Sequence, residues 1–547
     1  MPVVEELADW VVSLSYDDIP PRVLERARHQ IVNVMASLYA GTSSRDAQKV
    51  VEAVRGWSGP GPCTLVPLGD RLRLFDAVYA ASALGMALDY DDYLYMGHTG
   101  HSSVLASWAV GEAERRSTRE VLVAQVIANE IGGRVGASVV LGPQNGQAWS
   151  FIHAAGAAAA SAKLYRLDRD RTAHALSIAL YQPTFTLWPG FMGPGSKVLT
   201  AAGPTVTGIQ AAELARAGLT GARRIFEHPK KGFWASFSYA PLPGMMSGLG
   251  RAWVTDTLAY KKYPGCAYID TTMDALFMVL REFEHSHGRR LRPEEVRGIE
   301  VEASLLSVEM DNLSAEHVGE CEPLSPVNIN FSIPFNVAIG VLAGRHTPAE
   351  LTQEYLDEHD PRIRELSSKV RLVHDWSMSL AVAEAFAGSL GRSSPLRSLS
   401  PRELLRVASG YQSQMGGRRK HALGASRLLS HIPAIAGRAR ALTEGGGNGG
   451  QGLGGADLSR FRMAFPARVT LETTSHERTS ARQDVPFGAP GQSHYLETVR
   501  DKFRQEASRR LGPEDIEQAL TALAEFENTD LDRLSRLLSG RPAEAAC

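Results

Sequence analysis

From the N-terminus to about residue 265 the chain lacks the apolar–polar alternation that a half-buried strand requires, which restricts this half to helices. Leu7, Trp10, Val11 and Leu14 recur at helical spacing. Asp18-Ile19-Pro20-Pro21 then starts a second helix, whose apolar stripe runs through Val23, Ala27, Ile31, Val34, Met35 and Leu38 to a capping Gly41. Ala154 to Lys163 is so rich in alanine that it belongs between neighbouring helices, where small side chains permit close approach. After residue 265 the texture changes. Val296–Ala303, Val370–Val373 and Ala467–Thr473 alternate as strands do, and a helix-like run, Ile333–Leu342, lies between the first two. The pattern predicts a mainly α chain with a second, α+β domain, and 547 residues are too many for one ordinary core. Helical periodicity returns from Tyr495 to Leu538.

Residues 377–463 have a different character. Leu380–Ala387 and Arg402–Val407 are moderately helical, with Ser/Arg/Gly-rich connections, and the segment ends in the run Gly445–Gly455. Such glycine density without a phosphate-loop lysine predicts a flexible linker and not a nucleotide cradle.

One stretch concentrates chemistry. Asp89, Asp91, Asp92, His98 and His101 fall between the small and apolar run Ala80–Leu88 and the apolar run Val104–Val110. Carboxylates and imidazoles beside buried helices need partners, and together they supply proton donors and acceptors. Gly97 and Gly100 let the backbone turn tightly there. The stretch therefore predicts the lip of an active site.

The formal net charge of −2 gives no reason to expect nucleic acid or an anionic membrane as partner. Cys63, Cys266, Cys321 and Cys547 are scattered without a CxxC pair, which fits a reducing compartment and neither a disulfide framework nor a structural zinc site. No stretch is long and uncharged enough to span a bilayer, and the acidic start Met1-Pro2-Val3-Val4-Glu5-Glu6 does not read as a leader. The expectation is a cytoplasmic enzyme. No organic cofactor is signalled, because neither a strand-linked GxGxxG nor a GxxxxGK[ST] occurs.

Landmarks spread over nearly the whole length resemble the MmgE/PrpD family of 2-methylcitrate dehydratase, cis-aconitate decarboxylase and iminodisuccinate epimerase. They are Leu7–Trp10, Leu88–Asp92 with His101-Ser102-Ser103, Ala157–Asp168, Gly195-Ser196-Lys197, Gly218–Gly221 through Phe233, Lys261–Cys266, and Phe331–Phe335 through Gly344. The resemblance implies a large all-helical domain built from N- and C-terminal segments plus a smaller α+β lid domain, a cleft between them, and a homodimer. On that plan residues 1–265 and 491–547 form the helical domain, 266–376 and 464–490 the lid, and 377–463 an insertion.

The resemblance also assigns roles. Asp89 matches the first carboxylate of the family's aspartate-rich motif, with a positioning or general acid/base role, and His101 the histidine of its His-Pro-Ser element, here His-Ser-Ser, with proton transfer as its expected role. Asp91 and Asp92 are expected to support the loop. His98 is a possible helper, and Tyr93 joins it as a substrate contact. Lys197 and Lys261 match lysines that would hold substrate carboxylates as point charges, with Lys262 the alternative if the register slips by one. No metal site is expected.

Two departures stand out. Gln147 falls where the family carries a histidine ahead of the Ala-rich helix, leaving His153 as the nearest replacement. Phe335 replaces a family tyrosine and so lacks its hydroxyl, and Thr200 stands where several members have histidine. A site so altered suits a less polar substrate than a tricarboxylate. The expected activity is a cofactor-independent lyase, dehydrating or decarboxylating beside a carboxylate of a small acid. An isomerase or cyclase of specialised metabolism is one alternative, and an inactive scaffold another.

Overall fold

The computed structural model describes residues 1–540 apart from 96, 144–146, 319–322, 391–398, 415–420 and 422–451. Its first helix, Val3–Ser13, buries Val4, Leu7, Ala8 and Val11, the stripe expected of one turn stacked on the next. Side-chain caps set several starts: Ser44 accepts from Ala47 N, Asp168 from Arg171 N, and Ser117 makes a reciprocal box with Glu120 at the head of Thr118–Ser138. The Ala-rich helix Gln147–Leu164 lies against Thr118–Ser138, Arg169–Ala179 and Ala202–Arg216. Its small residues permit that approach. A Cβ on Gly208 would stand 2.4 Å from the Ala154 carbonyl oxygen, so the crossing tolerates no larger residue there.

The C-terminal segment returns to the N-terminal helices. Tyr495–Ala507 packs on Pro21–Gly41, and Leu531–Leu538 on Ala106–Ala113, where Trp108 Nε1 donates to Ser535 Oγ at 2.9 Å. The helical body is thus built from both ends of the chain.

Two short strand pairs interrupt the helical half, against expectation: β1 (Cys63–Leu65) with β2 (Asp70–Leu72), and β3 (Asp92–Tyr93) with β4 (Ala259–Tyr260), both antiparallel. Pairs of two or three residues are too short to carry periodicity. The predicted strands appear as β5 (Val296–Ala303), β6 (Val370–His374) and β7 (Ala467–Thr473). A fourth, β8 (Arg478–Gln483), completes the sheet in the order β6-β5-β7-β8. β6 runs parallel to β5 and the other neighbours are antiparallel. β8 is an edge strand of polar residues with no buried face, which left it without a sequence signal. The helix Ile269–His287 covers β7 and β8.

The segment expected to be an insertion carries the helices Trp376–Leu390 and Pro401–Gln414. Of the predicted flexible linker, Gly445–Gln451 lie outside the described residues. Its end, Gly452–Gly455, is instead a tight turn packed on the turn Pro243–Met246. A Cβ on Gly452 would lie 1.8 Å from the Gly244 carbonyl oxygen, so glycine serves close packing there. Among the described residues no helix is long and apolar enough to cross a membrane.

Candidate active site

Asp89 follows the helix Leu74–Met86 and is fully buried in the left-handed region at φ 49°, a conformation uncommon for a residue with a side chain. That turn aims the carboxylate at two ammonium groups. Lys197 Nζ donates to Asp89 Oδ2 at 2.9 Å, and Lys261 Nζ donates to Asp89 Oδ1 and, at 2.8 Å, to the Asp89 carbonyl. Lys261 also pairs with Asp91 Oδ1 at 2.9 Å. The neighbouring Lys262 turns away to Asp274, 3.4 Å off, which fixes the register on Lys261.

Asp91 does more than support the loop. Its Oδ2 stands 3.1 Å from His98 Nδ1 and 3.4 Å from His101 Nε2, so one carboxylate joins both imidazoles to Lys261. Asp89, Asp91 and His98 present ligand atoms within 4.8 Å of one another. The Lys261 ammonium already lies between the two carboxylates as their counter-cation.

His101 opens a π-helical turn, His101–Leu105, that runs into the helix Ala106–Ala113. Such widened turns re-aim side chains and recur at functional sites. Its ring meets His153 edge to face, with centroids 5.5 Å apart and planes at 83°. His153, from the middle of the Ala-rich helix, places Nδ1 3.2 Å from Ser102 Oγ. Ser102 Oγ donates to the Thr99 carbonyl at 3.1 Å, so it is the histidine that donates to Ser102, and Nε2 keeps its lone pair. That Nε2 is buried with no hydrogen-bond partner among the described residues.

Burial sets the protonation states. It works to raise the Asp89 and Asp91 carboxyls, but the ammonium groups outweigh it, Lys197 and Lys261 for Asp89 and Lys261 chiefly for Asp91, so both are held below the usual range. Burial lowers His98 despite Asp91, and lowers His153 far below its ordinary value, helped by His101 and His98. Asp89 and Asp91 hold the Lys261 ammonium above its ordinary range against burial, whereas burial lowers Lys197 despite Asp89. Asp92, pushed up to about 6 by burial and by Asp91, accepts instead from Gln30 Nε2 at 2.8 Å.

The remaining predicted residues are placed as follows. Tyr93 is buried, its ring 6.1 Å from His98 and 6.2 Å from Phe465. Phe335 is buried on the helix Ile333–Ala343, whereas the residues that meet Lys197 are Asn330, through Oδ1 at 2.7 Å, and Phe331, whose ring centroid is 4.6 Å away. Thr200 donates to the Lys197 carbonyl at 2.6 Å. Gln147 begins the Ala-rich helix, and its side chain lies outside the described residues. Asn330 is a member that the sequence did not single out, and Asp91 and Ser102 were given no part in the chemistry. Tyr95, from the same acidic stretch, packs against Phe386 of the helix Trp376–Leu390 (5.3 Å between centroids) and Phe461 (5.5 Å). The charged cluster is closed over, with no member more than 8% exposed.

Gly100 shows how tightly the turn is packed. A Cβ there would lie 2.1 Å from Asp92 Oδ1 and 2.7 Å from Val34 Cγ2. Gly100→Ala is expected to cost about 1–3 kcal/mol of stability in urea unfolding, as overpacking does, and to depress activity by shifting His101.

A helical body with a mixed α+β sheet thus encloses a buried carboxylate–ammonium–imidazole centre, built of groups that can exchange protons and hold anions. The chain belongs to the MmgE/PrpD family: residues 5–243 match its N-terminal domain and residues 263–390 its C-terminal domain. Cis-aconitate decarboxylase of Aspergillus terreus (strain NIH 2624 / FGSC A1156) is 24% identical over 389 residues, 68% of this chain and 78% of that protein. The cis-aconitate decarboxylase-like protein oryM of Aspergillus oryzae (strain ATCC 42149 / RIB 40) is 27% identical over 301 residues, 51% of this chain and 62% of that protein. These relationships support a lyase-type enzyme of the family.

Proposed function

We propose that this protein is a cofactor-independent lyase that removes carbon dioxide or water next to a carboxylate of a small acid less polar than a tricarboxylate. The observation that carries the reading is the pairing of neutral His153 with His101 beside the Asp91–Lys261–Asp89–Lys197 array. His153, set beside His101, is the candidate for the histidine missing at Gln147, which argues against an inactive scaffold.

The two lysines divide the work. Lys261 spends its three N–H groups on Asp89 Oδ1, the Asp89 carbonyl and Asp91, so it fixes the carboxylates. Lys197 spends two, on Asp89 and Asn330, and its third has no acceptor among the described residues. Lys197 is thus the group that takes a substrate carboxylate, with Phe191 and Phe331 beside it to receive apolar parts. His153 Nε2 takes the proton from the carbon next to that carboxylate when water is lost; when carbon dioxide is lost it hands to the carbanion a proton first taken up from solvent, and Lys197 stabilises the charge that develops. The relatives' named activity favours decarboxylation over dehydration. Because the centre is closed, entry of a substrate requires the chain around it to move. Two copies forming a dimer and a cytoplasmic location remain part of this reading.

The test is a panel of citrate-type acids and of unsaturated or hydroxy acids bearing larger alkyl groups, followed by 13C NMR for released carbon dioxide and for dehydrated product. Turnover is expected to favour the alkylated acids. Equal turnover of citrate-type acids would sink the assignment of a less polar substrate, and no turnover of any acid would sink the lyase reading.

A further inference from the structure

We propose that Lys502 is a positioning residue for this centre, tying together the backbones that carry the Asp89–Asp91 carboxylates and Lys261. It comes from the C-terminal helix Tyr495–Ala507, well past residue 390, where the match to the family's domains ends. The proposal rests on the reading that the Asp89–Asp91–Lys261 array is the reacting centre.

The geometry is specific. Lys502 Nζ donates to Asn33 Oδ1 at 2.8 Å, to the Lys261 carbonyl at 3.2 Å and to the Tyr90 carbonyl, so three acceptors match the three N–H groups of an ammonium. Tyr90 is the residue between the two carboxylates, and Lys502 also lies over its ring, 3.5 Å from the centroid. The tie therefore acts on both sides of the array at once. On the Tyr90 side Ser37 Oγ shares the same carbonyl. On the Lys261 side the chain is further held where Lys261 N donates to the Asp91 carbonyl at 3.2 Å, and where the Asp270 carboxylate accepts from Lys262 N at 3.2 Å and Tyr263 N at 3.4 Å. Lys502 closes this bracket around the left-handed turn at Asp89.

A buried ammonium carries a desolvation cost. Burial pushes Lys502 down to about 7, against the attraction of Asp91, Glu506 and Asp270 and with the repulsion of Lys261. An apolar residue of similar volume would avoid that desolvation but leave the Tyr90 and Lys261 carbonyls and Asn33 Oδ1 without their donor. The position gains from lysine because a long side chain with three donors can hold two separate backbone carbonyls and an amide in one place.

The experiment compares Lys502→Met and Lys502→Gln with the wild type by melting temperature, by steady-state kinetics on the best acid of the panel above, and by crystal structure. Lys502→Met, which leaves those three acceptors unpaired, is expected to lower the melting temperature, and kcat per folded molecule to fall about 10²-fold, the scale of a 1 Å misplacement. KM is expected to stay within about threefold, since substrate binding is not what is lost. The crystal structure should show the Asp89–Asp91 turn and Lys261 displaced with the helices intact. Lys502→Gln, which keeps two of the three donors, should lie between, and it carries the test if Lys502→Met fails to fold. An unmoved turn with unchanged kcat overturns the proposal, as does a fallen melting temperature with full activity per folded molecule. If the wild type converts no acid, the proposed function fails, and the displacement seen by crystallography still decides the role of Lys502.

Discussion

Replacing Asp89 by asparagine is expected to inactivate the protein and to destabilise it at the same time. The carboxylate is the shared counter-ion of Lys197 and Lys261, and all three groups are buried. An asparagine amide offers one acceptor oxygen, and its NH2 must then face the other ammonium. Breaking a buried pair by removing one partner costs about 3–5 kcal/mol. Asparagine tolerates the left-handed backbone at least as well as aspartate, so the substitution isolates charge from strain. Turnover should fall about 10²–10⁴-fold, because the ammonium groups lose the geometry in which they stabilise developing charge. Adding Lys197→Met to Asp89→Asn should recover part of the stability and none of the activity, which a double-mutant cycle in urea would read. A loss of stability within about 0.5 kcal/mol, the range of ordinary surface changes, would show that the pair is not the buried lock described.

The same charges predict a pH signature. Asp89 and Asp91 are held below their ordinary values in the folded protein. Their stabilisation is therefore present above the unfolded value of about 3.9 and lost as pH falls through the lower folded values. In Asp89→Asn the melting temperature should fall less steeply across that acid range than in the wild type.

Much of this centre was legible in the sequence, and what was hidden has a common cause. Asp89, His98 and His101 lie within thirteen residues, and carboxylates and imidazoles beside buried helices demand an explanation. Lys197 and Lys261 matched a family pattern, but only the fold shows that they meet on one carboxylate. Asp91 reads as loop support because its role depends on a chain reversal that brings His98 and His101 back over it. Lys502 is invisible for a related reason: it lies on an amphipathic helix, beside the buried stripe of Val499 and Phe503, and its partners are hundreds of residues away. Likewise β8 has no apolar face to announce it, and the glycine run gives no sign that its last four residues pack against Gly244. Local chemistry survives in sequence, whereas contacts made by distant return of the chain do not.

His153 is the sharpest case, because its offset from Gln147 left its role open, and its substitution gives the second large expected effect. His153→Asn should lower kcat about 10²–10⁴-fold, the usual contribution of a positioned proton-transfer group, with little change in KM. The asparagine amide can still donate toward Ser102, so the fold should persist. Burial and the neighbouring His101 and His98 keep His153 neutral in the folded protein, far below its ordinary value of 6.5. Its contribution to stability is thus present above the unfolded value and lost as pH falls below about 6.5. The melting temperature of the variant should consequently fall less steeply than that of the wild type as pH drops below that value. Deuterium exchange at the substrate carbon beside the carboxylate separates proton transfer from binding: it should stop in His153→Asn even where the acid still binds. If His153→Asn keeps wild-type turnover, His153 does not move the proton, and its edge-to-face pair with His101 is packing alone.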